Sequence, residues 1–182
     1  MRIEPPIFQR LQQGPTSGID THLWNGYLDM FQWALKCTST IEGEIIDPFA
    51  RKCPWGTITN DIDENQPTDF HLDGADFLQL QGDQTAKIIL FDPPFSGRQA
   101  EKYEVGDLNL YGTGDGRIGR MNQCMARIIK PGGIILKLGY NTSRPHKSLT
   151  LKRVSILTFG GTRNDVLISA WMRENGSLGD WL

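Results

Sequence analysis

The sequence predicts an α/β fold: a mostly parallel sheet with helices on both faces and an antiparallel hairpin near its C-terminal end. Three observations predict it. Residues 87–92 (KIILFD) form an apolar run with β-branched residues that stops at an acid and two prolines, as a strand buried on both faces would. Two earlier runs, 42–47 (EGEIID) and 57–62 (TITNDI), are less apolar and also run out in acids. A helical pattern over 118–129 leads through KPGG into IILKLG, and two further strand-like runs follow. Strands that alternate with helices pair in parallel, because a crossover helix returns the chain to the same edge of the sheet.

The chain has 182 residues, enough for one domain with a substantial core. We expect an N-terminal arm over 1–19 and a single domain over 20–182. No apolar run reaches membrane-spanning length, and the N-terminus (MRIEPPIFQR) lacks a secretory apolar region, so a soluble, cytoplasmic protein without membrane association is expected. Cys37, Cys53 and Cys124 are odd in number and show no C-x-x-C spacing, while His22, His71 and His146 are scattered. Neither a disulfide framework nor a metal site is expected. Charge is unevenly distributed: residues 1–95 hold 6 Lys/Arg against 14 Asp/Glu, whereas residues 96–153 hold 11 against 4. A basic segment directly after the DPPF turn is suited to meeting a polyanion, since phosphate contacts dominate nucleic-acid affinity.

Residues 1–18 contain PP, GP and SG and little periodicity, and read as an extended arm or loop. Asp20 or Thr21 is placed to cap a helix through Leu35, with Leu23, Tyr27, Met30, Phe31 and Ala34 near helical spacing on one face. The strand of residues 42–47 ends at Asp47 and runs into PFARKCPWG. The next strand ends at Asp61 and Ile62, with Asp63 and Glu64 beside them. An acid at the end of the second strand of a nucleotide-binding α/β fold is placed to accept hydrogen bonds from a ribose diol. Residues 69–78 (DFHLDGADFL) follow, then the Asp92 strand. The glycine-rich stretch 97–119, with Arg98, Lys102, Tyr103, Tyr111 and Arg117, reads as a mobile substrate loop offering aromatic and basic side chains. The helix over 118–129 carries Met121, Cys124, Met125 and Ile128 on one face. After IILKLG come Tyr140, Asn141 and Thr142, then a basic cluster of Arg144, His146, Lys147, Lys152 and Arg153. Residues 149–159 and 165–173, joined by GGTRN, read as an antiparallel hairpin that completes the sheet.

The turn after residue 91 offers acceptors without donors. Pro93 and Pro94 have no N–H, so the Asp92 carboxylate and nearby carbonyls stand exposed beside the ring of Phe95. A planar group bearing an NH2 suits such a turn, donating both hydrogens while its ring stacks on Phe95. DPPF resembles the catalytic motif of the amino-methyltransferases that use S-adenosylmethionine, most often the adenine-N6 DNA methyltransferases. The resemblance implies that Asp92 and the Pro93 carbonyl hold the target amine, that Pro94 shapes the turn, and that Phe95 stacks on a flipped base.

Other segments extend the resemblance over about residues 20–173. Asp47, Pro48, Phe49 and Ala50 match the cofactor motif DPFAGSG of that family; Arg51, Lys52 and Cys53 then stand where the family has glycines, and Gly56 arrives late. Asp61 matches the family's ribose-binding acid, Ile62 the residue against the cofactor's adenine, and Asp76 with Phe77 the pair at its adenine amine. KPGG before a strand resembles the fifth-strand entry of class I methyltransferases, so the implied fold is a Rossmann-like class I methyltransferase sheet. DPFAR, CPWG, TNDID, DPPFS, GYNT and FGGTRND also look like small methylase-like proteins of phages and prophages.

The implied function is methyl transfer from S-adenosylmethionine to an exocyclic amine, with adenine N6 in DNA as the leading acceptor. Arg98, Lys102, Asn141, Arg144 and Lys147 are the candidate substrate contacts. Alternatives with the same fold are methylation of an RNA base amine or a protein glutamine amide, and a non-catalytic nucleic-acid-binding module. No separate recognition domain is visible, so specificity is expected from residues 97–119, from the basic cluster, or from a second subunit, the same chain included.

Overall fold

The computed structural model of the chain describes residues 7–13, 20–93, 116–159 and 165–174. Their strands are β1 (Ile7–Gln13), β2 (Glu44–Asp47), β3 (Ile58–Thr59), β4 (Ala86–Phe91), β5 (Ile129–Gly139), β6 (Leu149–Phe159) and β7 (Val166–Arg173). The helices are α1 (Asn25–Cys37), α2 (Gly74–Leu80) and α3 (Arg117–Ile128), with a 3-10 turn at Thr21–Leu23. The strands make one sheet in the order β1-β6-β7-β5-β4-β2-β3. Pairing is parallel except where β7 runs antiparallel between β5 and β6. This is the mixed, mostly parallel sheet with a closing hairpin that the sequence predicts.

The apolar run of β4 is explained by its two faces. Ile88 and Leu90 pack with α1 residues Tyr27, Met30, Phe31 and Ala34, whereas Ile89 and Phe91 pack with Phe77 and Leu78 of α2 and Met121 and Met125 of α3. Alternate residues from 88 to 91 therefore serve two separate cores, so none of these four positions is free to be polar, whereas Lys87 at the start of the strand is only half-buried. Fully burying side chains of this size contributes roughly 1.5–3 kcal/mol each, before the entropy of ordering them. The strand ends where the cores end, which leaves Asp92 at the rim.

Several elements depart from expectation. Residues 7–13 of the expected arm form an edge strand in register with β6, from Ile7 opposite Arg153 to Gln13 opposite Phe159. The expected helix from Asp20 or Thr21 splits at Trp24, whose ψ of 122° is extended, into a 3-10 turn and α1. Neither Asp20 nor Trp24 caps with its side chain, and Leu23, expected on the buried face, is exposed. The second strand shrinks to Ile58–Thr59, because Asn60 leaves the ladder for an isolated bridge with Phe70. α3 runs straight into β5: Ile129 pairs with Ala86 and Ile134 with Ile88, so residues 130–133 bulge out of register, with Gly132 at φ 77°.

Candidate active site at the carboxyl ends of the parallel strands

Parallel strands β2, β3 and β4 leave their carboxyl ends on one rim, the edge at which open α/β sheets bind ligands. Asp47 is the last residue of β2, Asp61 follows β3 by two residues, and Asp92 follows β4 directly. The fold thus brings together three acids that lie up to 45 positions apart in the chain.

Asp47 is buried, and burial pushes its carboxyl up to about 8, with the Asp92 charge adding to the rise and the Phe49 N–H opposing it. That N–H donates to Asp47 Oδ1 at 3.1 Å. Asp92 is half-buried and raised to about 6 by desolvation, although the Thr21 hydroxyl donates to its Oδ2 at 2.6 Å and the Arg51 charge also lowers it. Asp61 is raised by the same cause, while its Oδ2 accepts from the Arg51 N–H at 3.2 Å and its Oδ1 from the Asp63 N–H at 2.9 Å. Tyr27, buried beneath this rim, is raised by burial and by the charges of Asp47 and Asp92. The Cys53 thiol is pushed up to about 12 by burial and by Asp47, and so stays protonated.

The loop after Ala50 shows how the chain manages without the family's glycines. Arg51 has φ 47°, the left-handed region that favours glycine, so its backbone takes a glycine-like path despite the side chain. Its guanidinium lies 3.8 Å from Asp20. The loop returns through Trp55, whose ring stacks on Phe31 with centroids 4.4 Å apart and planes 2° from parallel, and meets Tyr27 edge-on. Gly56 is confined: a Cβ there would lie 2.8 Å from Thr59 Cγ2 and 3.1 Å from Asp47 Cβ. Pro48 and Ala50 are fixed by Asn60, whose buried side-chain NH2 donates to the Pro48 carbonyl at 3.0 Å and whose backbone carbonyl accepts from the Ala50 N–H at 2.9 Å. Phe49 turns away from the loop to meet Phe91 edge-on at 5.8 Å.

Asp47, Pro48, Ala50, Asp61, Ile62, Asp92 and Pro93 therefore share the rim, with Ile62 partly exposed and Pro93 buried. Asp76 and Phe77 do not join them. Both lie on α2, where Phe77 is fully buried among Leu78, Met121 and Met125, and the largely exposed Asp76 lies 3.8 Å from Arg120. Elsewhere in that segment Asp69 accepts from the Thr59 N–H and hydroxyl at 2.8 Å, and Asp73 caps α2 by accepting from the Ala75 N–H at 3.0 Å and pairs with Arg117 at 3.0 Å. Asn141, Arg144 and Lys147 are exposed beyond β5. Of the basic cluster, Arg153 is engaged by Gln9 and the Trp33 ring, and Lys152 by Glu174. Pro94, Phe95, Arg98 and Lys102, with most of 97–119, lie outside the described residues.

Motif reading missed Thr21 and Asn60. Thr21 looks like a helix cap, and its bond to Asp92 spans 71 positions, which no local pattern reveals. Asn60 stands next to Asp61 in TNDID, and its burial was the signal that could not be read from composition.

Sheet order and the single antiparallel strand among the described residues define the class: a Rossmann-like methyltransferase fold. Among solved structures, the chain is similar to "Putative methyltransferase yhhF from Escherichia coli", with a TM-score of 0.51 and 12% identity over 83% of this chain and 86% of that one. No family model matches the chain. No curated protein matches it either. Among the described residues, no helix is long and apolar enough to cross a membrane.

Proposed function

We propose that the protein transfers a methyl group from S-adenosylmethionine to the N6 amine of adenine in DNA. The observation that carries the reading is the convergence of Asp47, Asp61 and Asp92 on one rim, where their carboxyls are held above the ordinary range and Arg51 is the cation that offsets Asp61 and Asp92. A site with surplus negative charge is relieved by a ligand that brings positive charge and hydroxyl donors. When bound, the cofactor supplies a methyl group on a cationic sulfur.

The residues present fit that group. Both Asp61 oxygens already accept a backbone N–H, which fixes the carboxylate and leaves its remaining lone pairs for a ribose diol. Ile62 offers an apolar surface beside it, and the glycine-like backbone at Arg51 keeps the loop after Ala50 low. Asp47 faces this loop from below, where positive charge is welcome.

At the acceptor, Thr21 occupies Asp92 Oδ2 and orients the carboxylate, which leaves Oδ1 for one amine hydrogen while the Pro93 carbonyl takes the other. An exocyclic amine delocalises its lone pair into the ring, so two acceptors pull it toward a tetrahedral, nucleophilic nitrogen. As the nitrogen becomes cationic, Asp92 stabilises it and Oδ1 takes its proton. Catalysis by this chain is positioning, electrostatics and acceptance of the amine's proton by Asp92, and a duplex base has to leave the stack to reach the turn, with Phe95 replacing part of the lost stacking.

The test is transfer of labelled methyl from S-adenosylmethionine to duplex DNA, single-stranded DNA, ribosomal RNA and glutamine peptides, followed by nucleoside analysis. N6-methyladenine in DNA is expected. Label confined to RNA or peptide would move the acceptor, and no transfer together with no cofactor binding would leave a non-catalytic module.

A further inference from the structure

A polar lock closes the bend that follows β5. Phe91 pairs with Lys137, so the chain leaves β4 at Asp92 one step past this pair, and leaves β5 on the same rim two residues beyond Lys137. Lys137 shares a sheet face with Ile135, which is buried with Phe91 against α2 and α3. It is the sole charged residue in the run 134–139 of an otherwise apolar strand end, and burial lowers its ammonium below the usual lysine range.

Its ammonium is spent on the bend. Lys137 Nζ donates to the Ser143 hydroxyl at 2.8 Å, to the Ser143 carbonyl at 3.0 Å and to Asn141 Oδ1 at 3.5 Å. Asn141 Oδ1 also accepts from the Ser143 N–H at 3.0 Å and the Ser143 hydroxyl at 2.6 Å. Lys137 and a backbone N–H can only donate, so the side of the amide facing them has to be its oxygen. The Asn141 NH2 is thereby turned the other way, and the residue is exposed at the rim.

We infer that Asn141 is a specificity-determining residue whose locked amide donates to a ring nitrogen beside the target amine, with Lys137 and Ser143 as positioning residues. This rests on the adenine reading above. Asp92 and the Pro93 carbonyl accept from the amine, and any amine satisfies acceptors; they do not distinguish the ring that bears it. A donor held at the neighbouring strand end supplies the complementary half, because adenine flanks its amine with acceptor nitrogens in the ring. Cytosine shares part of that pattern, and a glutamine amide has no ring nitrogen. A donor already fixed by a half-buried cation loses little freedom on binding, which is how a single contact comes to discriminate.

The probes are short oligodeoxyadenosines and the same oligomers built from 1-deazaadenosine or 7-deazaadenosine, each lacking one acceptor. Affinity is read by fluorescence anisotropy without cofactor, and methyl transfer to oligodeoxyadenosine is read separately. The wild-type protein should bind oligodeoxyadenosine about tenfold more tightly than one of the deaza oligomers. Asn141→Asp, which keeps the shape and replaces donors with acceptors, should abolish that difference. Ser143→Ala should reduce it and Ser143→Thr, which keeps a hydroxyl, should restore it; a general loosening of the bend would not be rescued in this way. Discrimination unchanged in Asn141→Asp, while the wild type still methylates oligodeoxyadenosine, would overturn the inference and leave the adenine reading standing. A wild-type protein that neither binds nor methylates any adenine oligomer would remove both.

Discussion

The Thr21 hydroxyl donates to Asp92 Oδ2 at 2.6 Å, tying the 3-10 turn before α1 to the end of β4. This bond holds the Asp92 carboxyl below the value that burial alone would impose. Thr21→Val should therefore raise that carboxyl above about 6 and move the acid limb of the pH profile of kcat/KM to higher pH. Activity should fall more at pH 5 than at pH 8, and a profile that keeps its shape would show that Asp92 does not need to be ionised.

Asp92→Ala should reduce methyl transfer by about a hundredfold or more, the usual scale for losing a positioned proton acceptor. Cofactor affinity measured by calorimetry should change little, because the ribose and loop contacts assigned to Asp61 and residues 48–50 are untouched. Activity that survives this change would remove Asp92 from the site.

Asp61→Ala and Asp76→Ala separate two acids that the motif order treats alike. Asp61 sits on the rim with its carboxylate fixed by two N–H groups, whereas Asp76 is exposed on α2 beside Arg120. Calorimetric titration with S-adenosylmethionine should show binding lost in the first variant and retained in the second.

Asp47 should make stability depend on pH. Its folded carboxyl titrates at about 8 against 3.8 unperturbed, so between those values the folded chain keeps a proton that the unfolded chain has released. Stability is then full below about pH 4 with respect to this group and declines as pH rises toward 8. Asn at this position can keep the acceptor for the Phe49 N–H and cannot ionise. Thermal melts of Asp47→Asn should exceed the wild type at pH 8 and converge with it near pH 4; a constant offset at both would sink the assignment.

Gly56→Ala should cost roughly 1–3 kcal/mol, the range for forcing a methyl into a packed site. The new Cβ would press on Thr59 Cγ2 at 2.8 Å and Asp47 Cβ at 3.1 Å. Urea unfolding would measure the loss, and a neutral result would mean that the 53–57 loop moves freely.

Parts of the site were legible because chemistry and local structure coincide there. Asp47 and Asp92 each follow an apolar run, and the change from apolar to acidic side chain marks where the strand reaches the rim. Asp76 and Phe77 are placed by helix packing: Asp73 caps α2, Phe77 lies in the core and Asp76 faces solvent. Helical phase depends on which residue accepts the first N–H, and Asp73 and Asp76 are both able to do so on composition alone.

By itself the sequence determined the sheet class and most of its strands, though not the edge strand β1, because hydrophobic runs, proline turns and acid endings are local and directional. It also determined which residue types could stand at the rim. Only the tertiary structure decided who meets whom: that Thr21 reaches Asp92, that Trp55 closes onto Phe31, that Arg51 adopts a glycine-like backbone, and that Lys137 locks Asn141. Those contacts depend on strand order and on how the bends leave each strand, and burial then sets the proton affinities. Desolvation is a property of the assembled rim, and no residue in the chain carries it alone.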